Sequence, residues 1–171
     1  RCSVTWHTNP AMVGIRDVPL VADCEVLYNA CGIRDAAQLR QSQIRDNRGA
    51  GVCFSRPGTA THCQIYRNTG TGVYILPSGT GTVDIAFSEI LRNESAASGA
   101  PNLKLQLADC RIADNGGGSS AGMGYIGHTR CTITNNGSVA SAALGAADFH
   151  SCLIRGNRGP AFTATKGGIR L

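Results

Sequence analysis

One phrase returns through this chain at nearly constant spacing. Cys110, Ile112 and Asn115 stand in the frame Cys-x-Ile-x-x-Asn, and the frame recurs as Cys131, Ile133, Asn136 and as Cys152, Ile154, Asn157, each 21 residues on. Towards the N-terminus it continues as Ser88, Ile90, Asn93; Cys63, Ile65, Asn68; Ser42, Ile44, Asn47; Cys24, Val26, Asn29; and Cys2, Val4, His7. That makes eight turns, with 22, 18, 21, 25, 22, 21 and 21 residues between leading positions. A repeat in this range means stacked units, each burying its apolar face only against its neighbours.

The residue types define the unit. Around the leading Cys or Ser, small or branched apolar residues alternate with polar ones, the two-residue period of a strand with one buried face. Only five or so residues alternate before a turn pair such as Asn136-Gly137 intervenes. A second apolar run then follows: Val52 and Phe54, Val73 and Ile75, Leu103 and Leu105, Ala161 and Phe162. The leucine frame of a leucine-rich repeat and the stripe of a helical repeat are both missing. Two or three short strands per coil, joined by polar corners, describe a parallel β-helix. Glycine at 22 of 171 residues and 5% aromatics suit tight corners and a narrow core.

The Ile-x-x-Asn-x-Gly turns resemble the right-handed parallel β-helix repeats of the pectate-lyase-like superfamily over nearly the whole chain. The resemblance implies an all-β solenoid of about eight coils of roughly 21 residues. It also implies an inward Asn at one corner, stacked coil on coil into a ladder of amide hydrogen bonds; Asn29, Asn47, Asn68, Asn93, Asn115, Asn136 and Asn157 fit that position. Residues 1–171 are expected to form one domain, and eight coils at a strand spacing of about 4.8 Å make a rod about 38 Å long. The first and last coils carry no evident amphipathic helix as a cap, so the expectation is a piece of a longer protein or an end covered by another chain. An extracellular or cell-surface location is implied by the resemblance alone.

Six cysteines, Cys2, Cys24, Cys63, Cys110, Cys131 and Cys152, share the leading position that Ser42 and Ser88 also occupy. They are expected to form an inward column of small thiols rather than bridges, since stacked neighbours point the same way. Cys31 and Cys53 fall outside this position on consecutive coils and form the candidate disulfide. No Cys-x-x-Cys or His-x-x-His spacing suggests a metal. No apolar run is long enough for a membrane span. The formal charge of +5, with 14 Arg against 2 Lys, suits either an acidic polymer or an ordinary solvated surface. The absence of an Arg-rich block or an aromatic-interleaved groove argues against nucleic acid.

Stacking the frame brings four charged residues together on an outer face: Glu89 beside Arg111, and Asp109 beside Arg130. Uronate lyases of the resembled family hold calcium with acidic residues and use Arg or Lys as the base; its hydrolases use paired Asp residues. Here no Asp-Asp pair is present, and each acid has an Arg next to it, as ordinary cross-strand ion pairing requires. Trp6 with Tyr28, and His62 with Tyr66, are candidate sugar contacts. His150 is expected inside beside Phe149, and His128 in a loop. Residues 93–101 and 116–122 are expected to bulge from one corner. The preferred function is a non-catalytic module of a surface, adhesive or polysaccharide-binding protein. The alternatives are a lyase, hydrolase or epimerase acting on a uronate polymer, with Ca2+ only under the lyase alternative, and a module that self-associates through its coil ends.

Overall fold

The computed structural model describes residues 2–5, 12–120, 124–138, 140–142, 145–159, 162–164 and 168–171. They form three parallel sheets of eight strands, each coil giving one strand to each sheet. The first sheet holds Cys2–Thr5, Cys24–Leu27, Gln43–Arg45, Gln64–Tyr66, Glu89–Leu91, Arg111–Ala113, Thr132–Thr134 and Leu153–Arg155. The second holds Val13–Arg16, Cys31–Arg34, Val52–Phe54, Thr71–Ile75, Ser95–Ser98, Gly117–Ser120, Ala140–Ala142 and Phe162–Ala164. The third holds Leu20–Ala22, Gln38–Arg40, Gly58–Thr61, Gly81–Ala86, Leu103–Ala108, Tyr125–Thr129, Ala146–His150 and Gly168–Arg170.

The repeat dictates the core. Val4, Val26, Ile44, Ile65, Ile90, Ile112, Ile133 and Ile154 pair in register as one column inside the first sheet. From Val26 to Ile133 these side chains are at most 1% exposed. Burying each contributes about 1.5 to 3 kcal/mol. Leu39, Ala60, Ile85, Leu107, His128 and Phe149 make the corresponding column of the third sheet.

The asparagines form the expected ladder at the corner between the first and second sheets. Each Oδ1 accepts from the backbone N–H and the Nδ2 of the asparagine one coil earlier: Asn93 Oδ1 lies 3.0 Å from Asn68 N and 2.9 Å from Asn68 Nδ2. From Asn47 onwards each Nδ2 donates back to the carbonyl of an inward aliphatic residue one coil earlier, as Asn93 does to Ile65 O at 3.0 Å, whereas Asn29 Nδ2 donates to Leu27 O within its own coil. The series runs from Asn29 to Asn157. Its first member, Asn29, has a buried Oδ1 with no hydrogen-bond partner among the described residues.

The leading position forms a second column at the opposite end of the same strands. Here the side chain donates to the carbonyl two residues earlier: Ser42 to Arg40 O at 2.7 Å, Ser88 to Ala86 O at 2.8 Å, Cys110 to Ala108 O at 3.2 Å and Cys131 to Thr129 O at 3.5 Å. Thiol and hydroxyl therefore do one job, which explains their interchange. Cys63, Cys110 and Cys131 are buried and Cys24 and Cys152 half-buried, as expected of the column; Cys2, on the first coil, is exposed instead, with only one stacked neighbour among the described residues.

Two corners flanking the first sheet carry a feature that the sequence does not advertise. Among the described residues, fifteen that are not glycine have φ between 47° and 61°. One set immediately precedes the leading position (Asp23, Gln41, His62, Phe87, Asp109, Arg130, Ser151) and another lies four after it (Tyr28, Asp46, Arg67, Arg92, Asp114, Asn135). Left-handed backbone costs an L residue roughly 1 to 2 kcal/mol. Stacking offsets this, because the corner N–H still donates to the next coil: Arg92 N to Ala113 O at 3.1 Å and Arg130 N to His150 O at 2.8 Å. The exposed Arg92 isolates the effect. Arg92→Val should lower stability by about 1 to 2 kcal/mol while Arg92→Asn leaves it level or raises it, read by urea unfolding. Equal values for the two variants would remove backbone conformation as the cause.

Among the described residues the expected bulges are not bulges; residues 121 and 122 of the second lie outside them. Ser95–Ser98 and Gly117–Ser120 are strands of the second sheet. Small residues suit that sheet because its inner side abuts the ladder: a Cβ on Gly72 would meet Ile90 Cγ2 at 2.7 Å and Asn93 Nδ2 at 2.9 Å. The added length in the 25-residue interval lies instead in residues 76–80, between the strands Thr71–Ile75 and Gly81–Ala86.

Candidate functional site

Residues one and three places after the leading position point out of the first sheet and build its outer face. Along that face the proposed catalytic quartet separates into two ion pairs. Arg111 Nη1 lies 3.4 Å from Glu89 Oε1, and Glu89 also accepts from Gln64 Nε2 at 3.1 Å. Arg130 grips Asp109 with both nitrogens, at 2.8 and 2.6 Å. The second geometry recurs three coils earlier at the other corner of the first sheet, where Arg67 grips Asp46 at 2.8 and 2.7 Å. A corner acid under a corner Arg is thus a repeated device of the coil stack. The hydrogen bonds from Arg130 hold the Asp109 carboxyl below its usual value, opposite to what a general acid near neutral pH needs.

The proposed sugar contacts have partners of their own. The exposed His62 ring stacks on Phe87, with centroids 5.3 Å apart. Tyr66 donates its hydroxyl to Gln43 Oε1 at 3.3 Å and carries the Arg67 guanidinium 5.1 Å above its ring. Tyr28 occupies a left-handed corner on the second coil, two coils from Tyr66, and is exposed. Trp6 lies outside the described residues.

Beyond Arg111 the same face opens into a groove of about 430 Å³ lined by Arg111, Thr132, Thr134, Asn135, Arg155 and Gly156. Arg111 pairs in register with Thr132, and Thr134 with Arg155, so two guanidinium groups bracket two hydroxyls. Arg155 is exposed and has no ion-pair partner among the described residues. At the other end of the face a groove of about 500 Å³ is lined by Cys2, Ser3, Asp23, Cys24, Glu25, Gln41 and Gln43. The face is therefore acidic and amide-rich at one end, and basic and hydroxyl-rich at the other.

The family of right-handed β-helix regions matches residues 20–168. The chain belongs to this family. No curated protein and no solved structure matches it. The family assignment fixes the architecture of this right-handed β-helix protein, and chemistry must be argued from its side chains. Among the described residues there is no cluster of three or more His, Cys, Asp or Glu side chains able to hold a metal ion. None of them belongs to a helix long and apolar enough to cross a membrane.

The histidines exchange the places expected of them. His128 is 1% exposed, and its ring stacks on Phe149 at 4.4 Å; His150 is exposed. The inward column of the third sheet falls three residues before the leading Cys, so alternation turns His150 outwards. That sheet also carries a polar group that the repeat frame does not reveal. Tyr125 donates to Asp148 Oδ2 at 3.0 Å, crossing Gly127, where a Cβ would come within 3.1 Å of the tyrosine hydroxyl. Burial, then the neighbouring carboxylate, raise the Tyr125 phenol above its ordinary pKa.

The repeat frame does not single out the groove residues Thr132, Thr134, Asn135 and Arg155 either. Their signal lies in the columns one, three and four places after the leading Cys. Threonine carries no charge to draw attention to it there.

Proposed function

We infer that this β-helix is a non-catalytic module of a surface, adhesive or polysaccharide-binding protein, working outside the cell or at its surface, and that its ligand is an acidic polysaccharide. The observation carrying this reading is the groove along coils six to eight, where Arg111 and Arg155 flank Thr132 and Thr134. Guanidinium groups suit carboxylates, hydroxyls suit sugar hydroxyls, and an open groove on a rigid rod admits a chain without enclosing it. The salt-bridged state of Asp109 and Glu89 favours binding over acid-base chemistry.

Electrophoresis through gels containing polygalacturonate or alginate tests the reading. Retardation should weaken with salt. It should fall by about fivefold for Arg155→Ala and further for Arg111→Ala combined with it, if each exposed contact contributes up to about 1 kcal/mol. Absence of retardation at low salt, or indifference to both substitutions, overturns the binding site. Unsaturated product absorbing in the ultraviolet when calcium is added overturns the non-catalytic assignment.

A further inference from the structure

Two thiols outside the leading column stand apart from the other six. Cys31 Sγ and Cys53 Sγ, on consecutive coils of the second sheet, lie 2.8 Å apart, and both cysteines are free. A disulfide requires about 2.05 Å, so closing the bond needs a movement of about 0.8 Å. The two are not register partners: Cys53 pairs with Arg34, while Cys31 pairs with Val13. Their sulfurs meet diagonally, unlike thiols stacked in one column.

The surroundings differentiate the pair. Arg34 sits directly across the strand from Cys53. Its Nε is buried with no hydrogen bond among the described residues. The nearest carboxylate oxygen, Asp35 Oδ2, is 3.6 Å away and accepts from the Ser55 hydroxyl at 2.6 Å, while Asp35 Oδ1 accepts from Ser55 N–H at 2.5 Å. A guanidinium thus stands beside Cys53 with its charge only partly engaged. Cys53 is 7% exposed, so only a small reagent reaches its sulfur, and Cys31 is half-buried at its side.

We propose that Cys31 and Cys53 form a hydroperoxide-reactive dithiol site, with Cys53 the attacking sulfur and Cys31 the resolving one, whose oxidation staples the second coil to the third. The Cys53 thiolate attacks one peroxide oxygen, the O–O bond breaks, hydroxide leaves and a sulfenic acid remains. Cys31 sulfur then displaces the sulfenic hydroxyl, its thiol proton leaving with that oxygen as water, and the S–S bond forms. Two thiols lose two electrons and two protons in total, and hydrogen peroxide becomes two waters. The hydrogen bond from Cys31, then the Arg34 charge, lower the Cys53 pKa against the opposing effects of burial and of the Asp35 carboxylate, which supports this order of attack.

The test is hydrogen peroxide treatment of the purified chain, followed by alkylation under denaturing conditions and intact mass. Wild type should lose two of its eight alkylatable thiols, with fragment spectra linking Cys31 to Cys53. In Cys31→Ser, a sulfenic acid at Cys53 should be trapped by a dimedone-type nucleophile; in Cys53→Ser, none should appear at Cys31. Arg34→Met should slow wild-type oxidation several-fold at neutral pH and shift its pH-rate midpoint upwards, with Arg34→Lys restoring part of the rate. Retention of all eight thiols, or a linkage between other cysteines, overturns the site. Trapping at Cys31 instead of Cys53 overturns the order of attack, and an unchanged Arg34→Met profile overturns the role of the cation.

Discussion

Asn93→Leu should unfold about 3 to 6 kcal/mol more readily than wild type, although leucine is close to asparagine in size and more apolar. The estimate follows from the groups left behind. Asn68 N–H and Asn68 Nδ2 lose the Oδ1 that accepts from both, at 3.0 and 2.9 Å. Ile65 O loses a donor at 3.0 Å, and Asn115 Oδ1 loses one of two. All lie in a core from which water is excluded, and each orphaned polar group costs about 1 to 3 kcal/mol. Against a typical domain stability of 5 to 15 kcal/mol this is severe. The exposed pair Asp109 and Arg130 has shorter hydrogen bonds, yet Arg130→Ala should cost under about 1 kcal/mol, because water replaces what is removed. Urea unfolding of the two variants side by side checks the contrast, and hydrogen exchange should show the Asn93→Leu loss centred on coils four to six. A cost below about 1 kcal/mol for Asn93→Leu would mean that the ladder follows from the coil stack instead of stabilising it.

The same contrast explains what could be read from the sequence. Cys, Ile and Asn recur because each faces a copy of itself one coil away, leaving the position little freedom. That periodicity was enough to give the first sheet, its inward column and the ladder. The second sheet is legible only where Val52, Phe54, Val73 and Ile75 mark it as an apolar run; elsewhere its inner wall is pressed against the ladder, and Gly14, Gly32, Gly51 and Gly72 all face an asparagine amide where a Cβ would clash. A strand built from small residues looks like a loop, and Ser95–Ser98 and Gly117–Ser120 read as bulges in sequence on that account. On the outer face, Glu89 with Arg111 and Asp109 with Arg130 were legible because charge shows in a stacked frame. The repetition of the Asp109 and Arg130 geometry at Asp46 and Arg67 gives that pair a structural role. The left-handed corners leave a partial mark: seven of the fifteen are Asp or Asn, which tolerate that region, whereas Phe87, Gln41 and Arg130 are not residues that sequence rules place there.

Acidification from pH 6.5 to 4 should remove about 3 kcal/mol of stability through one buried side chain, His128. The imidazole replaces an aliphatic residue in the inward column of the third sheet, between Leu107 and Phe149. Its Nδ1–H donates to the Asp148 carbonyl at 3.4 Å, which leaves Nε2 to accept from the Ser119 hydroxyl at 3.0 Å. The carbonyl and hydroxyl satisfy the neutral ring, and among the described residues no carboxylate pairs with it to stabilise a cation. Burial therefore lowers its pKa from 6.5 to about 4, the backbone contact to Asp148 opposing this only in part. With the folded value below the unfolded one, the unfolded chain binds the proton first. Stability is complete above pH 6.5 and declines by about 1.4 kcal/mol per unit as pH falls towards 4. Asp35, Asp46 and Asp109, whose pKa values are lowered in the fold, contribute their own loss only at more acid pH, as their ordinary value of 3.8 is passed. The window between is assigned to the histidine. His128→Leu alone would confound the test by leaving the Ser119 hydroxyl buried without a partner, so the decisive variant pairs it with Ser119→Ala. The double variant should match or exceed wild type at pH 4.5 and show a flat profile above it. A profile as steep as that of wild type would place the acid sensitivity elsewhere in the coil stack.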